Sequence, residues 1–266
     1  MDTRFWGPSG WKLLHLISFD YIADHSHSYA EFLKTIPYIL PCKFCRASLT
    51  DYYREHPFEH GNGIDPALDL KKWMFRIHNC VNKKLRSQGL HPEADPTYSH
   101  VKKVYTDFQK KTWKEQLTQL WDFLFAVAYN HPKETVHDSK PMPDCPKTIL
   151  KCKDHCEKNK WNVLSFKKRY EWFRRFWIYL PAVLPHTIAQ HWEIVEKRNP
   201  PTLRCRRSTL AWLWRMRCGL DSEFQDPYTS ICKKIATYSS DCGHSSRAIT
   251  CRKKRSNHIK KTKKRK

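Results

Sequence analysis

The sequence predicts an all-α protein built from two successive helical bundles. Three observations carry this. Only 7 glycines occur in 266 residues, too few for the turns of a sheet-rich fold. Apolar side chains recur at helical spacing. And the order of elements in the first half returns in the second, as an internal repeat does.

The first helix is expected from Trp11, with Leu13, Leu14, Leu16, Ile17 and Tyr21 forming one apolar stripe and Pro8–Ser9 marking its start. A second spans about Tyr29–Tyr38. Pro41 opens a third, a favourable first-turn position, which carries Cys42 and Cys45 and stops at Arg54–Pro57. Asp69 is expected to cap a fourth through Trp73, Ile77, Val81 and Leu85, with Gly89 ending it. A fifth follows Pro96 along Val101, Val104, Tyr105 and Phe108. Residues 108–119 read as a linker.

The repeat then runs block by block. Trp11–Asp20 resembles Trp121–Asn130, and Phe32–Pro41 resembles Phe176–Pro185, each of the latter two with Pro-x-x-x-Pro. Trp73–Arg76 resembles Trp212–Arg215, and Asp95-Pro96 resembles Asp226-Pro227. Pro132–Asp154 is an irregular, proline-rich insertion in the second unit. The resulting divisions are 1–110, 119–246 and a tail, 247–266.

Apolar residues make up 40% of the chain and include 11 tryptophans, enough for a real core. The net charge is +23, a bias associated with polyanionic partners. It is partly local: the tail holds 11 Lys/Arg and no acid, so it is expected to be disordered. It serves either as a solubilising segment or as a nuclear-targeting or nucleic-acid-binding one. Residues 1–22 lack the features of a signal peptide, and no apolar run reaches the roughly 18–20 residues of a membrane span. The 11 cysteines are therefore expected in a reducing compartment, where they are catalytic or metal-binding.

Pro41-Cys42-Lys-Phe-Cys45 sets two thiols one helical turn apart at a helix start, where unpaired N–H groups favour a thiolate. By itself the spacing suits a redox dithiol or half of a zinc site equally. Farther on, His78 and Asn82 share a helix face with Asn79 alongside. Polar groups so placed suit a buried ring system or adenine and ribose; as isolated residues they would equally suit a satisfied core.

Taken together, Trp6-Gly7-x-x-x-Trp11-Lys-x-Leu-His15, then Cys-x-x-Cys, then His78-Asn79-x-Val-Asn82-x-Lys84-Leu follow one another as in the Erv/ALR family of FAD-linked sulfhydryl oxidases, a resemblance covering Arg4–Phe108. It implies an Erv-type FAD-binding bundle followed by a degenerate bundle of similar type. Trp6, Gly7, Trp11 and His15 would line the flavin site, and His78, Asn79, Asn82 and Lys84 would contact isoalloxazine and adenosine phosphate. Tyr105 would lie against the adenine, with Ser48 and Tyr52 as further contacts. The implied activity makes disulfides in protein dithiol substrates. A substrate thiolate attacks Cys42, taken as the more exposed sulfur; Cys45, released as thiolate, passes electrons to FAD, and oxygen becomes hydrogen peroxide. The family's structural disulfide is absent or replaced, because the first unit offers only Cys80 besides the active pair.

In the second unit every such position has changed: His15 faces Phe125, Cys42 faces His186, Cys45 faces Ala189, His78 faces Arg217, Asn79 faces Cys218 and Tyr105 faces Ala236. That unit is expected to keep the bundle without FAD. It would either supply within one chain the packing surface through which such domains form homodimers, or act as a docking platform. Cys152 and Cys156 read as a shuttle dithiol, as part of a zinc site with Cys145 or His155, or as unremarkable thiols. The resemblance also implies a viral protein of the virion or host cytoplasm, with nucleic acid as a partner of the tail and no membrane. Two competing functions remain open, a zinc-stabilised nucleic-acid-binding protein and a redox-inactive interaction module.

Overall fold

A computed structural model describes residues 1–58, 66–90, 93–134, 164–239 and 251–252, and among these every regular element is helical. Helix α1 (Thr3–Phe19) starts well before Pro8. Its cap is the buried Asp2, whose carboxylate accepts the Arg4 N–H at 2.9 Å and the Arg4 guanidinium at 2.5 Å. A satisfied cap outweighs the single backbone bond that Pro8 removes, so the expected Pro8–Ser9 start is corrected. After a 3₁₀ turn at Ala23–His25 comes α2 (Ser26–Ile39).

Helix α3 (Lys43–Glu55) is capped by Cys42 itself, whose Sγ accepts the Cys45 N–H at 3.3 Å. Helix α4 (Pro66–Ser87) begins before Asp69, which lies in its first turn rather than at the cap. It ends at Gly89, whose positive φ of 67° lets the Leu90 N–H reach back to the Leu85 carbonyl at 2.8 Å. Thr97 caps α5 (Tyr98–Gln109).

The expected linker at 108–119 contains a helix instead. Thr112 and Glu115 form a capping box that starts α6 (Trp113–Thr118). Then follow α7 (Trp121–Tyr129), α8 (Phe166–Val183), α9 (His186–Arg198), α10 (Arg206–Leu220) and α11 (Tyr228–Thr237). The insertion from 135, with Cys145, Cys152 and Cys156, lies outside the described residues, as does Cys242.

One continuous apolar core joins the two halves. Helix α1 packs on α4, α5 and α7, while α2 lies along α8 in the most extensive helix pair of the molecule. Gly10 makes the α1–α7 approach feasible, since a Cβ there would sit 2.9 Å from the Phe123 ring. Across the α2–α8 seam, Phe32 and Phe176 are both fully buried with ring centroids 5.3 Å apart. Each half also carries the same tertiary hydrogen bond. The Trp73 indole donates to the carbonyl of His56 at the end of α3 (2.8 Å), and the Trp212 indole to that of Asn199 at the end of α9 (3.0 Å).

Past α11 the chain returns to the start of α1. Tyr238 stacks on Phe5 at 4.7 Å, and its carbonyl accepts the Asp2 N–H at 2.9 Å. Cys251 is buried and disulfide-bonded. Arg252 donates to Thr3 Oγ1 and to the Leu90 carbonyl, each at 3.1 Å. Two residues of the expected disordered tail are thus packed on the first half, while 253–266 lie outside the described residues. Among the described residues, no helix is long and apolar enough to cross a membrane.

Candidate functional site

Helices α1, α3, α4 and α5 enclose a cavity of about 540 Å³, within the usual range for a ligand site. Cys45 opens onto it from α3. Of the residues expected at a flavin site, Trp6, Gly7, Trp11, Ser48, His78, Asn82, Lys84 and Tyr105 all line it. The 3.6-residue period explains the gathering, because α1 and α4 each turn one stripe toward the space.

His15 stands one layer behind the wall. Its ring stacks on Tyr105 at 4.5 Å, and its Nε2 is 2.9 Å from His78 Nδ1. Trp11 in turn stacks on His78 at 3.8 Å. Burial, with the neighbouring His78, pushes the His15 imidazolium pKa well down, so the ring is neutral and positions His78 as an uncharged partner.

Asn79 and Tyr52 do not line the cavity. Asn79 projects into a separate shallow cleft with Lys72, Phe75, Cys80 and Arg86, since one position along a helix rotates a side chain by about 100°. Tyr52 packs in the core beside Ser48, and burial pushes its phenol up to about 12. Other lining residues went unassigned from the sequence: Leu14, Val81 and Leu85 on the apolar walls, Lys12, Phe123 from α7, and Arg252 from beyond α11. Lys12, Val81 and Leu85 stood inside the motifs and were readable there; Arg252 carries no local signal.

The two sulfurs differ in their surroundings. Cys42 is 1% exposed, buried beneath a contact in which the Met1 amino group donates to the Pro41 carbonyl at 2.8 Å. Cys45 is only partly buried. The expectation that Cys42 is the more exposed sulfur is therefore corrected: position at a helix start does not give exposure when another segment lies over it. Both are free thiols, as is Cys80.

Burial alone would raise the Cys42 pKa. Hydrogen bonds from the Cys45 side chain and backbone, the Met1 amino group and the Arg46 guanidinium outweigh it and bring it down to about 6. Cys45 shifts the other way, well above its ordinary range, because its S–H is held by Cys42 and because it is buried. The single negative charge of the reduced pair therefore belongs to Cys42. Arg46 is wholly buried, with its Nη1 donating to the Leu40 carbonyl at 2.7 Å just ahead of Cys42. Lys84 ties α4 to α3 through Ser48 Oγ at 2.6 Å and the Phe44 carbonyl at 3.2 Å.

The cavity is lined mainly by apolar and aromatic side chains together with Arg4, Lys12, Lys84 and Arg252, and among the described residues no carboxylate lines it. Such a space suits a large planar molecule bearing anionic groups. Among the described residues, no group of three His, Cys, Asp or Glu side chains is arranged to hold a metal ion.

Comparisons with known proteins bear on this site. The model of the Erv1 / Alr family matches residues 8–114. The mitochondrial FAD-linked sulfhydryl oxidase ERV1 of Saccharomyces cerevisiae is 30% identical over 118 residues, which are 43% of this chain and 53% of that protein. The chain thus spans about half the length of the yeast relative. An FAD-linked sulfhydryl oxidase of African swine fever virus (isolate Pig/Kenya/KEN-50/1950) is 30% identical over 111 residues, covering 40% of this chain and 85% of the viral protein. No solved structure gives a significant match. A dithiol at a helix start, a cavity beside it lined in the family's motif order, and a relative of this identity matched over most of its length establish that the chain belongs to the Erv1/Alr family.

Proposed function

We propose that the chain is an FAD-dependent thiol oxidase that makes disulfides in protein substrates through Cys42 and Cys45. The observation that carries this reading is the opening of Cys45 onto an aromatic-lined cavity that, among the described residues, has no carboxylate in its lining. The residues fit a flavin dinucleotide. Trp6 Nε1 is buried on the cavity wall without a hydrogen-bond partner, a donor suited to a ring carbonyl or nitrogen. Gly7 leaves open space where a Cβ would project, with nothing within 4 Å. Trp6, Gly7, Trp11, His78, Asn82 and Tyr105 would hold the rings, and Lys84 with Lys12 the phosphates; His15 supports them from behind.

When bound, FAD would supply a two-electron acceptor beside the dithiol and hand the electrons to oxygen, giving hydrogen peroxide. The chain's own residues manage the sulfur chemistry. A substrate dithiol exchanges with the oxidised pair, its two sulfurs becoming a disulfide while Cys42 and Cys45 gain two electrons and one proton, the second proton passing to solvent. The groups around Cys42 hold the resulting thiolate, and Cys45 is the sulfur that faces the cavity. Since Cys42 is buried, exchange there requires local opening of its cover.

The second half, we further propose, is a degenerate copy without a site of its own. The paired indole bonds of Trp73 and Trp212 support the kinship, and the packing of α1 on α7 and α2 on α8 supports a role as internal packing partner. Its relative in a large DNA virus supports a viral disulfide pathway, in the virion or host cytoplasm, as the setting.

Purified protein should be yellow, with flavin absorbance near about 450 nm, and should consume oxygen when given a dithiol. Cys45→Ser should cut turnover by roughly a thousandfold or more while keeping the flavin. A colourless protein with no oxygen consumption would refute the reading.

A further inference from the structure

A second cleft, of about 380 Å³, lies between α1, α7, α10 and α11. Phe5 and Ser9 line it and not the cavity onto which Cys45 opens, whereas Trp6, Gly7 and Trp11 line that cavity and not this cleft. Helix α1 therefore separates the two spaces. Neither half of the chain forms the cleft alone, and its volume suits a small molecule. Among the described residues its lining carries the cations Arg4, Lys12, Arg217 and Lys234 and one carboxylate, Asp122.

Three of these cations have partners. Lys234 donates to Asp122 at 2.9 Å, Arg4 pairs with Asp2, and Lys12 donates to the side-chain oxygen of Gln119. Arg217 differs. Its Nε is buried without a hydrogen-bond partner, and the side chain forms no ion pair among the described residues. It has two rings instead: its guanidinium carbon lies 3.8 Å from the Phe224 centroid and 5.6 Å from a Trp121 centroid. Rings attract a cation without replacing the hydrogen bonds that its N–H groups lose on leaving water. Burial lowers the Arg217 pKa against the pull of Asp221, Asp122 and Asp226, so these carboxylates leave its desolvation uncompensated. A half-buried guanidinium at a cleft wall, held by rings and with N–H groups to spare, has the fork that receives phosphate oxygens.

We infer that this cleft is an anion site for the phosphate group of a small molecule, with Arg217 as its anchor and Lys12 and Lys234 beside it. A doubly charged, tetrahedral phosphate suits a fork flanked by two ammonium groups better than a single carboxylate does. The inference does not depend on the flavin reading, because Arg217 and Lys234 stand outside the Cys45 cavity. The same phosphate chemistry is offered by inorganic phosphate and by a small phosphomonoester.

The test is isothermal titration calorimetry of the full-length protein as purified, at fixed ionic strength, with inorganic phosphate and with ribose 5-phosphate. Wild-type protein should bind at least one of them, and the tighter of the two names the source. Arg217→Gln, neutral and shorter, should weaken that binding by about tenfold or more. Arg217→Lys, which keeps the charge and loses the fork, should fall between. Arg198→Gln, which removes an exposed cation of α9, should leave the affinity unchanged. The bound probe should also raise the melting temperature of the wild type and not that of Arg217→Gln. Should Arg217→Gln fail to fold, Arg217→Lys decides: a loss of about threefold or more supports the site, and unchanged affinity overturns it. Absence of binding by both probes to the wild type would overturn the inference. So would binding that Arg217→Gln leaves unchanged while lowering stability equally with and without the probe, since Arg217 would then serve packing alone.

Discussion

Cys42 and Cys45 share one turn of helix, yet their protons behave oppositely. With its pKa lowered to about 6, Cys42 contributes to the stability of the reduced protein above the ordinary thiol range. That contribution is lost as pH falls toward about 6. Titration of the reduced protein, followed by thiolate ultraviolet absorbance, should therefore show one thiolate with a midpoint near 6. Arg46→Gln should move that midpoint upward, because it removes a buried positive charge beside the sulfurs. Gly7 offers a test of the cavity alone. Gly7→Leu puts a side chain where nothing stands, so FAD affinity should fall more than tenfold while the melting temperature of the flavin-free protein stays within about 2 °C. Residue chemistry was readable in the sequence wherever it was local, as at Cys42, Cys45, His78 and Asn82. It was not readable where it depended on what covers a residue: the burial of Cys42, the position of His15 behind the wall, and Arg252 all arise from distant segments.

Helices announced themselves through periodicity, and their ends through capping. The apolar stripes of α1 to α5 were visible because 3.6-residue spacing survives any choice of loop. Their starts were misplaced where a proline was taken as the signal and a better cap stood upstream, as Asp2 does for α1. Helix α6 was missed because six residues give no stripe, although Thr112 and Glu115 spell a capping box. Asp2→Ala should cost about 1–2 kcal/mol and lower the melting temperature by roughly 2–4 °C or somewhat more, as measured by circular dichroism. The Arg4 contact is lost with it. An unchanged melting temperature would mean that the cap contributes nothing to α1.

At the scale of the molecule, the halves do not stand apart. Their helices α1, α2, α7 and α8 interleave in one core, so the first half, taken alone, would expose the face that α8 covers. Phe32→Ala or Phe176→Ala on that seam should each cost about 3–5 kcal/mol and destabilise the whole protein in a single unfolding transition. Two separated transitions would contradict the shared core. The order of similar blocks led to the expectation of two related halves, but nothing local in the sequence could say that α2 packs along α8. The seam between α2 and α8 also has a kinetic meaning. An interface whose two sides belong to one polypeptide has no dissociation constant, and dilution cannot separate it. The specific activity of the proposed oxidase should consequently hold constant on dilution to concentrations at which a two-chain assembly would come apart.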